Sequence, residues 1–238
     1  MSRLKPAVDY RGFRLSKLNS PEYCHLKLLI FWPIYGALFW FVERVYHPEA
    51  YYAMYCALDD AIPFCEYFLI PYLFWFIFLA GELAYGLLFN PEGFRKMMRF
   101  IIITYSTALA VYFIFPNCQE LRPAAFEREN LFTEFIKGFY RFDTNTNVCP
   151  SIHVLGTVAA AQLFWQDERL KGVGWKALNL IISLSICAST VFMKQHSVLD
   201  VIAAGVVSLA AYPLCCRERR SSCKTAVRTG RRPVRERF

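Results

Sequence analysis

The run Glu66–Phe89, EYFLIPYLFWFIFLAGELAYGLLF, decides the fold. From Tyr67 to Phe89 it carries one charged residue, Glu82. A helix rises about 1.5 Å per residue, so roughly 20 apolar residues cross a hydrocarbon core about 30 Å thick. Five further apolar runs lie along the chain: Leu26–Val42, Met98–Phe115, Ser151–Trp165, Trp175–Met193 and Ser197–Cys215. Ser151–Trp165 is short, and it and Ser197–Cys215 also read as helices of a soluble core. Composition agrees with a bilayer protein: 56% of the residues are hydrophobic and 19% charged, with mean hydropathy +0.28. Soluble domains lie nearer about 45–50% apolar and about 25% charged, so a disordered chain is excluded and a soluble domain disfavoured.

Charge placement supplies the topology. Lys and Arg gather on the cytoplasmic side of a membrane. With six spans, 21 of the 27 basic residues fall on the side of the two termini and 6 on the other. The expectation is an all-α integral membrane bundle of six transmembrane helices with both termini cytoplasmic. A basic segment, 1–25, precedes a six-span domain, 26–215, and a basic tail, 216–238, follows it. The first run follows basic residues but precedes no small-residue cleavage site, so it reads as a retained span. The net charge of +8 sits mostly in the terminal segments and has no interleaved aromatic pattern, so nucleic acid is not the expected partner. The tail reads equally as a contact for anionic headgroups and as a solvated segment. Nine cysteines occur without a CxxC pair. Cys118 and Cys149 share the segment Pro116–Pro150 on the external side, as free thiols or, in an oxidising compartment, as a disulfide.

Chemistry gathers at the external ends of the fourth and sixth runs. His153 and His196 each start one of them, and imidazole serves as nucleophile or as general acid near neutral pH. Asp200 follows His196 by four positions, which places both on one helix face. A carboxylate there accepts the Nδ1 hydrogen and leaves the other nitrogen free to attack; a purely structural His–Asp pair has the same spacing. His153 lies in Cys149-Pro150-Ser151-Ile152-His153, where Pro suits a first helical turn whose N–H groups favour an anion. The Ser151 hydroxyl adds a donor. Arg122 and Lys194 are among the few external cations and match phosphate oxygens; solvated or snorkelling side chains would have the same sequence. A zinc site on His153, His196 and Asp200 is a further alternative, against which the nearby cations argue.

Together these residues resemble the type-2 phosphatidic acid phosphatase superfamily, whose motifs are K-x6-R-P, P-S-G-H and S-R-x5-H-x3-D. The second appears as Pro150-Ser151-Ile152-His153. The third appears as Ser189-Thr190, five residues, His196, three residues and Asp200. The first survives as Arg122-Pro123, with Phe115 in its Lys position. The resemblance covers roughly residues 98–215. It implies a six-helix enzyme that hydrolyses a lipid-linked phosphate monoester or pyrophosphate on the external or lumenal face, through a phosphohistidine and without metal or other cofactor. The nucleophile then falls on His196, the orienting acid on Asp200, the general acid on His153, and phosphate contacts on Ser151 and Arg122. Phe115 and Thr190 remove two family cations, and Lys194 is the local candidate to replace one. The run His196–Val201 also resembles the sphingolipid phosphotransferases of the superfamily, such as inositol phosphorylceramide synthase, which move a phospho-headgroup to a lipid hydroxyl. A non-catalytic member or a transporter, with Glu82 as a relay group, is the reading from a different class.

Overall fold

The structure is a computed structural model that describes residues 6–216, the side chain of Cys216 excepted; the tail expected beyond it lies outside the described residues. The order is α1 (Phe31–Arg44), continuing a 3-10 stretch Cys24–Ile30, then β1 (Tyr52–Ala53), α2 (Ala57–Ala61) and α3 (Leu69–Phe89). There follow α4 (Pro91–Ile114), β2 (Asn117–Cys118), α5 (Leu131–Phe142), α6 (Ile152–Gln166), α7 (Val173–Phe192) and α8 (Val198–Cys216). The two short strands pair in parallel. The fold is all-α.

Five helical segments are long and apolar enough to cross a membrane: Cys24–Arg44, Glu66–Phe89, Pro91–Ile114, Val173–Phe192 and Val198–Cys215. Their outward faces are apolar too. Ile30, Ile34, Leu38 and Phe41 line the outside of the first, Ile70, Phe74 and Ile77 that of α3, and Ile202, Val206 and Leu209 that of α8. Helices apolar on the outer face as well as the inner have no face suited to water. This is the pattern of a multi-pass membrane protein.

The fourth expected span differs from the rest. It forms α6, whose fifteen residues reach about 22 Å and fall short of a core about 30 Å thick. Its flanks meet protein, since α3, α4, α7 and α8 all pack against it. Val154, Leu155, Ala159, Ala160 and Leu163 are buried among them. Glycine permits the approach: a Cβ on Gly156 would lie 2.5 Å from the Tyr105 hydroxyl and 3.0 Å from the Trp75 ring.

Helix starts follow local chemistry. Asn90 caps α4 by accepting the Gly93 N–H at 2.9 Å, with Pro91 in the first position. Asn130 and Thr133 cap α5 reciprocally. The segment Pro116–Pro150 therefore holds a helix that the apolar runs do not reveal. Successive long helices alternate in direction, so the starts of α3, α6 and α8 meet the ends of α1, α4 and α7 at one end of the bundle. There Cys65 N–H donates to Phe192 O at 3.0 Å and Arg44 to Phe142 O at 2.9 Å. At the opposite end Ala7 N–H donates to Leu88 O at 2.8 Å, and Tyr85 to Asp167 at 2.9 Å.

A methyl group at Gly156 has to displace the Tyr105 hydroxyl from its bond to Ile152 O at 3.2 Å. Gly156→Ala is expected to destabilise the bundle by about 1–3 kcal/mol, the usual range for overpacking. Gly81→Ala meets no atom within 4 Å and is expected to be neutral or stabilising. Thermal unfolding of both variants in one detergent measures the contrast.

Candidate active site

The end where α6 and α8 begin carries the chemistry. Two non-helical segments deliver it, 147–151 before α6 and 193–197 before α8. The first is pinned by α4 and by the residues that follow it. Tyr112 donates to Pro150 O at 2.6 Å. Buried Asn117 accepts the N–H groups of Val148 and Cys149, both at 2.8 Å. Its own amide donates to Phe115 O at 2.9 Å and Cys149 O at 3.1 Å. Ser151, fully buried, caps α6 through its hydroxyl oxygen, and its N–H donates to Asp200 O at 3.2 Å.

The second segment ends α7 and starts α8. Lys194 takes a left-handed conformation, φ 52°, which lets the N–H groups of Gln195 and His196 reach back to Thr190 O at 3.0 Å. A non-glycine residue there costs roughly 1 kcal/mol. His196 Nδ1 meets Asp200 Oδ2 at 3.2 Å, and the same oxygen accepts Ser197 N–H at 2.9 Å. Asp200 is fully buried. This pairing sets the Nδ1–H tautomer and leaves Nε2 free. Beside Asp200, the Cys149 thiol is pushed up to about 12 by burial and by the carboxylate.

His153 faces His196, with ring centroids 5.8 Å apart. It is 93% buried between Tyr72, at 4.5 Å, and Trp75, at 4.3 Å, and neither ring nitrogen has a hydrogen-bond partner among the described residues. A buried polar group without a partner is costly. Here both imidazoles line one cavity with Tyr72, Asp143, Gln195 and Glu43.

His153, His196, Asp200 and Ser151 thus lie together at the start of α6 and α8. The two cations do not line that cavity. Arg122 donates to Gln195 Oε1 from Nε and Nη2, at 3.1 and 2.5 Å, and to the carbonyls of Tyr140, Asp143 and Thr144 at 2.8–2.9 Å. Its guanidinium also lies 4.4 Å from the centre of the Tyr140 ring. Burial lowers its pKa, against the pull of Asp143. It binds the end of α5 to the residue before His196. Lys194 turns to the other side of its loop, where Nζ donates to Asp59 O at 2.6 Å and Ile62 O at 2.5 Å. Cys118 and Cys149 are buried free thiols.

Two carboxylates that the sequence does not single out complete the cavity. Glu43, at the end of α1, accepts from Asn147 at 2.6 Å and from the Thr144 hydroxyl. Asp143 accepts from Tyr72 at 3.0 Å and Gln195 at 3.1 Å. Burial pushes its carboxyl up and outweighs the Tyr72 hydroxyl, His196 and Arg122, which pull it down. A lone carboxylate closing an apolar run was the one available signal for Glu43; Asp143 lies among polar loop residues and has none. Among the described residues no three His, Cys, Asp or Glu side chains have the geometry to hold a metal ion.

In comparisons with family models, with curated proteins and with solved structures, nothing matches the chain.

Asn117 satisfies four backbone groups at once. Asn117→Ala strands them and is expected to cost roughly 2–4 kcal/mol, since each buried unsatisfied group costs about 1–3 kcal/mol and water reaches some of them. The same variant should raise proteolysis in the 147–151 segment, read by limited digestion and peptide mass.

Proposed function

We propose that the chain is a membrane-embedded enzyme that hydrolyses a lipid-linked phosphate ester through a phosphohistidine on His196. Its motifs resemble the type-2 phosphatidic acid phosphatase superfamily, and the same roles follow from the residues. The observation that carries the reading is the His196–Asp200 pair at 3.2 Å, facing a second imidazole with unpartnered nitrogens. Asp200 holds the Nδ1 proton, so the Nε2 lone pair attacks phosphorus. The bond from phosphorus to the leaving oxygen breaks, and His153 supplies that oxygen with its proton. Water then attacks the phosphohistidine, gives a proton to His153 and breaks the P–N bond, releasing phosphate. Asp200 stabilises the imidazolium formed on the way. Ser151 and the leading turn of α6 supply donors and a positive dipole end to the phosphoryl oxygens, whereas the leading N–H groups of α8 are taken by Asp200, Asp59 and the Ser197 hydroxyl.

One observation favours a second reading, transfer of a phospho-headgroup to a lipid hydroxyl. The cavity presents Glu43 and Asp143, while Arg122 and Lys194 are engaged elsewhere. A doubly charged phosphate monoester meets twice the repulsion of a singly charged phosphodiester in such a site. A headgroup with its own ammonium gains attraction instead.

A panel of lipid phosphomonoesters and phosphodiesters in detergent separates the two. Hydrolysis releases inorganic phosphate without an added acceptor; phosphate recovered only in a new lipid headgroup transfers the assignment to the phosphotransferase. In either case His196→Ala should abolish the phosphohistidine. His153→Ala should lose about 10²–10⁴-fold on substrates with poor leaving groups and much less on good ones. Equal losses across leaving groups would remove His153 from the acid role.

The proposed topology is six spans with both termini in the cytoplasm and the site on the external or lumenal face. Two features support it. The chain enters α1 and leaves α8 at the same end of the bundle, as an even number of crossings requires. The helix that is too short to cross alone, α6, is surrounded by protein. A reporter fused after Phe238 should read as cytoplasmic, and one inserted between Phe126 and Glu134 as external or lumenal. The same side for both would sink this topology.

A further inference from the structure

The segment between α1 and α3 reaches across to the loop that carries His196. Asp59, on the one-turn helix α2, is 98% buried. Its Oδ2 accepts the Ser197 hydroxyl at 2.6 Å and its own helix's Cys56 N–H at 2.8 Å, and its Oδ1 accepts Val198 N–H at 2.8 Å. In return, Lys194 Nζ grips the backbone carbonyls of Asp59 and Ile62 at 2.6 and 2.5 Å. Between these anchors Gln195 is held by Arg122 and Asp143. Lys194, Gln195, Ser197 and Val198 are thus each fixed by groups distant in sequence. His196, in their midst, keeps one ring nitrogen bound to Asp200 and the other free.

We propose that Asp59 is a positioning residue for His196, clamping the start of α8 so that the imidazole and Asp200 stay in register for attack. The proposal rests on the phosphoryl-transfer reading, but the geometry it describes has its own readout. Asp59 does not line the cavity of His153 and His196 and so touches no reacting atom. Its contacts are to the two residues that follow His196, and both lie within four positions of Asp200. Burial pushes the Asp59 carboxyl up, but the bonds from Ser197, Val198 and Cys56 outweigh it and hold the group below the usual carboxylate range. An ionised acceptor therefore sits against the leading N–H of α8, where a negative charge stabilises a helix start. Replacing one oxygen by an NH₂ turns an acceptor into a donor that faces other donors, so Asp59→Asn should release the loop with little change in side-chain volume.

The test uses the full chain in detergent and two measurements. The first is turnover of didecanoyl phosphatidate micelles. Asp59→Asn should lower kcat by about 10–100-fold and leave KM within about threefold, because a small misplacement of a reacting group slows attack more than it weakens binding. The second is carbethoxylation of His196 by diethyl pyrocarbonate, followed by peptide mass. Its rate should rise by more than about threefold in Asp59→Asn as the ring leaves its site, a change that mere loss of stability elsewhere would not direct to this histidine. Ser197→Ala removes one of the same bonds and should move both readouts in the same direction. Ser197→Thr keeps the hydroxyl and should restore them. The double variant Asp59→Asn, Ser197→Ala should fall short of additivity, since the two share a contact. If Asp59→Asn is not monodisperse in detergent, the Ser197 pair decides alone. Wild-type kcat and carbethoxylation rate in Asp59→Asn, or no difference between Ala and Thr at Ser197, overturns the proposal. A wild-type protein that turns over no phosphatidate counts against the enzymatic reading, and the carbethoxylation arm then decides the positioning role by itself.

Discussion

The amide N–H of Ser151 donates to the backbone carbonyl of Asp200 at 3.2 Å, and this one bond ties the first turn of α6 to the first turn of α8. Each helix brings one imidazole, so the bond sets the relation of His153 to His196. It also aims two helix N-termini at one place. The positive end of the α6 dipole meets there a site with few free cations, while Asp200 and Asp59 accept the leading N–H groups of α8. Without this tie the two first turns would be related only by the side-chain packing of α6 against α8 and their common neighbours.

The remainder of the site end keeps that bond in place. Helices satisfy their own backbone, but the segments 147–151 and 193–197 do not, and unsatisfied amides next to an apolar bundle are expensive. Side chains that arrive from far along the chain serve them: Tyr112 and Asn117 for the first, Tyr140 and Asp59 at the two ends of the second. Polar residues concentrate at this end for that reason. Most are scaffolding, whereas both ring nitrogens of His153 are without a hydrogen-bond partner among the described residues.

Electrostatics divides the same way. Glu43, Asp143 and Asp200 place three carboxylates around two histidines, while the guanidinium of Arg122 is spent on four oxygen acceptors of the protein. The carboxylates are themselves hydrogen-bonded to Tyr72, Gln195, Asn147 and Thr144, which disperses their charge and lets them remain buried. In the proposed reaction, the balance between these groups and the start of α6 governs which phosphate ester the cavity tolerates.

Apolar run length and polar punctuation determined the helices from the sequence by themselves. Glu66–Phe89 begins and ends where the sequence placed it, and Ser151–Trp165 is displaced by a single residue, because hydropathy and capping are local properties. The four-residue step from His196 to Asp200 likewise fixed their pairing, since one helical turn brings them together. The third run begins earlier than its hydropathy suggests, at Pro91, because Asn90 caps it ahead of the basic turn. Helix α5 was hidden, as its apolar residues cover only one face of a short segment. What the cations do was settled only in three dimensions. Arg122 and Lys194 carry the right charge for phosphate, yet unsatisfied carbonyls of α2, α5 and the loop after α5 lie nearer and claim them. The partners of Glu43, Asp143 and Asp59 were equally out of reach, for each is dozens of residues or more from the groups it serves. Local patterns specify which elements form, whereas the competition among buried donors and acceptors is decided by which of them the packed helices bring within about 3 Å.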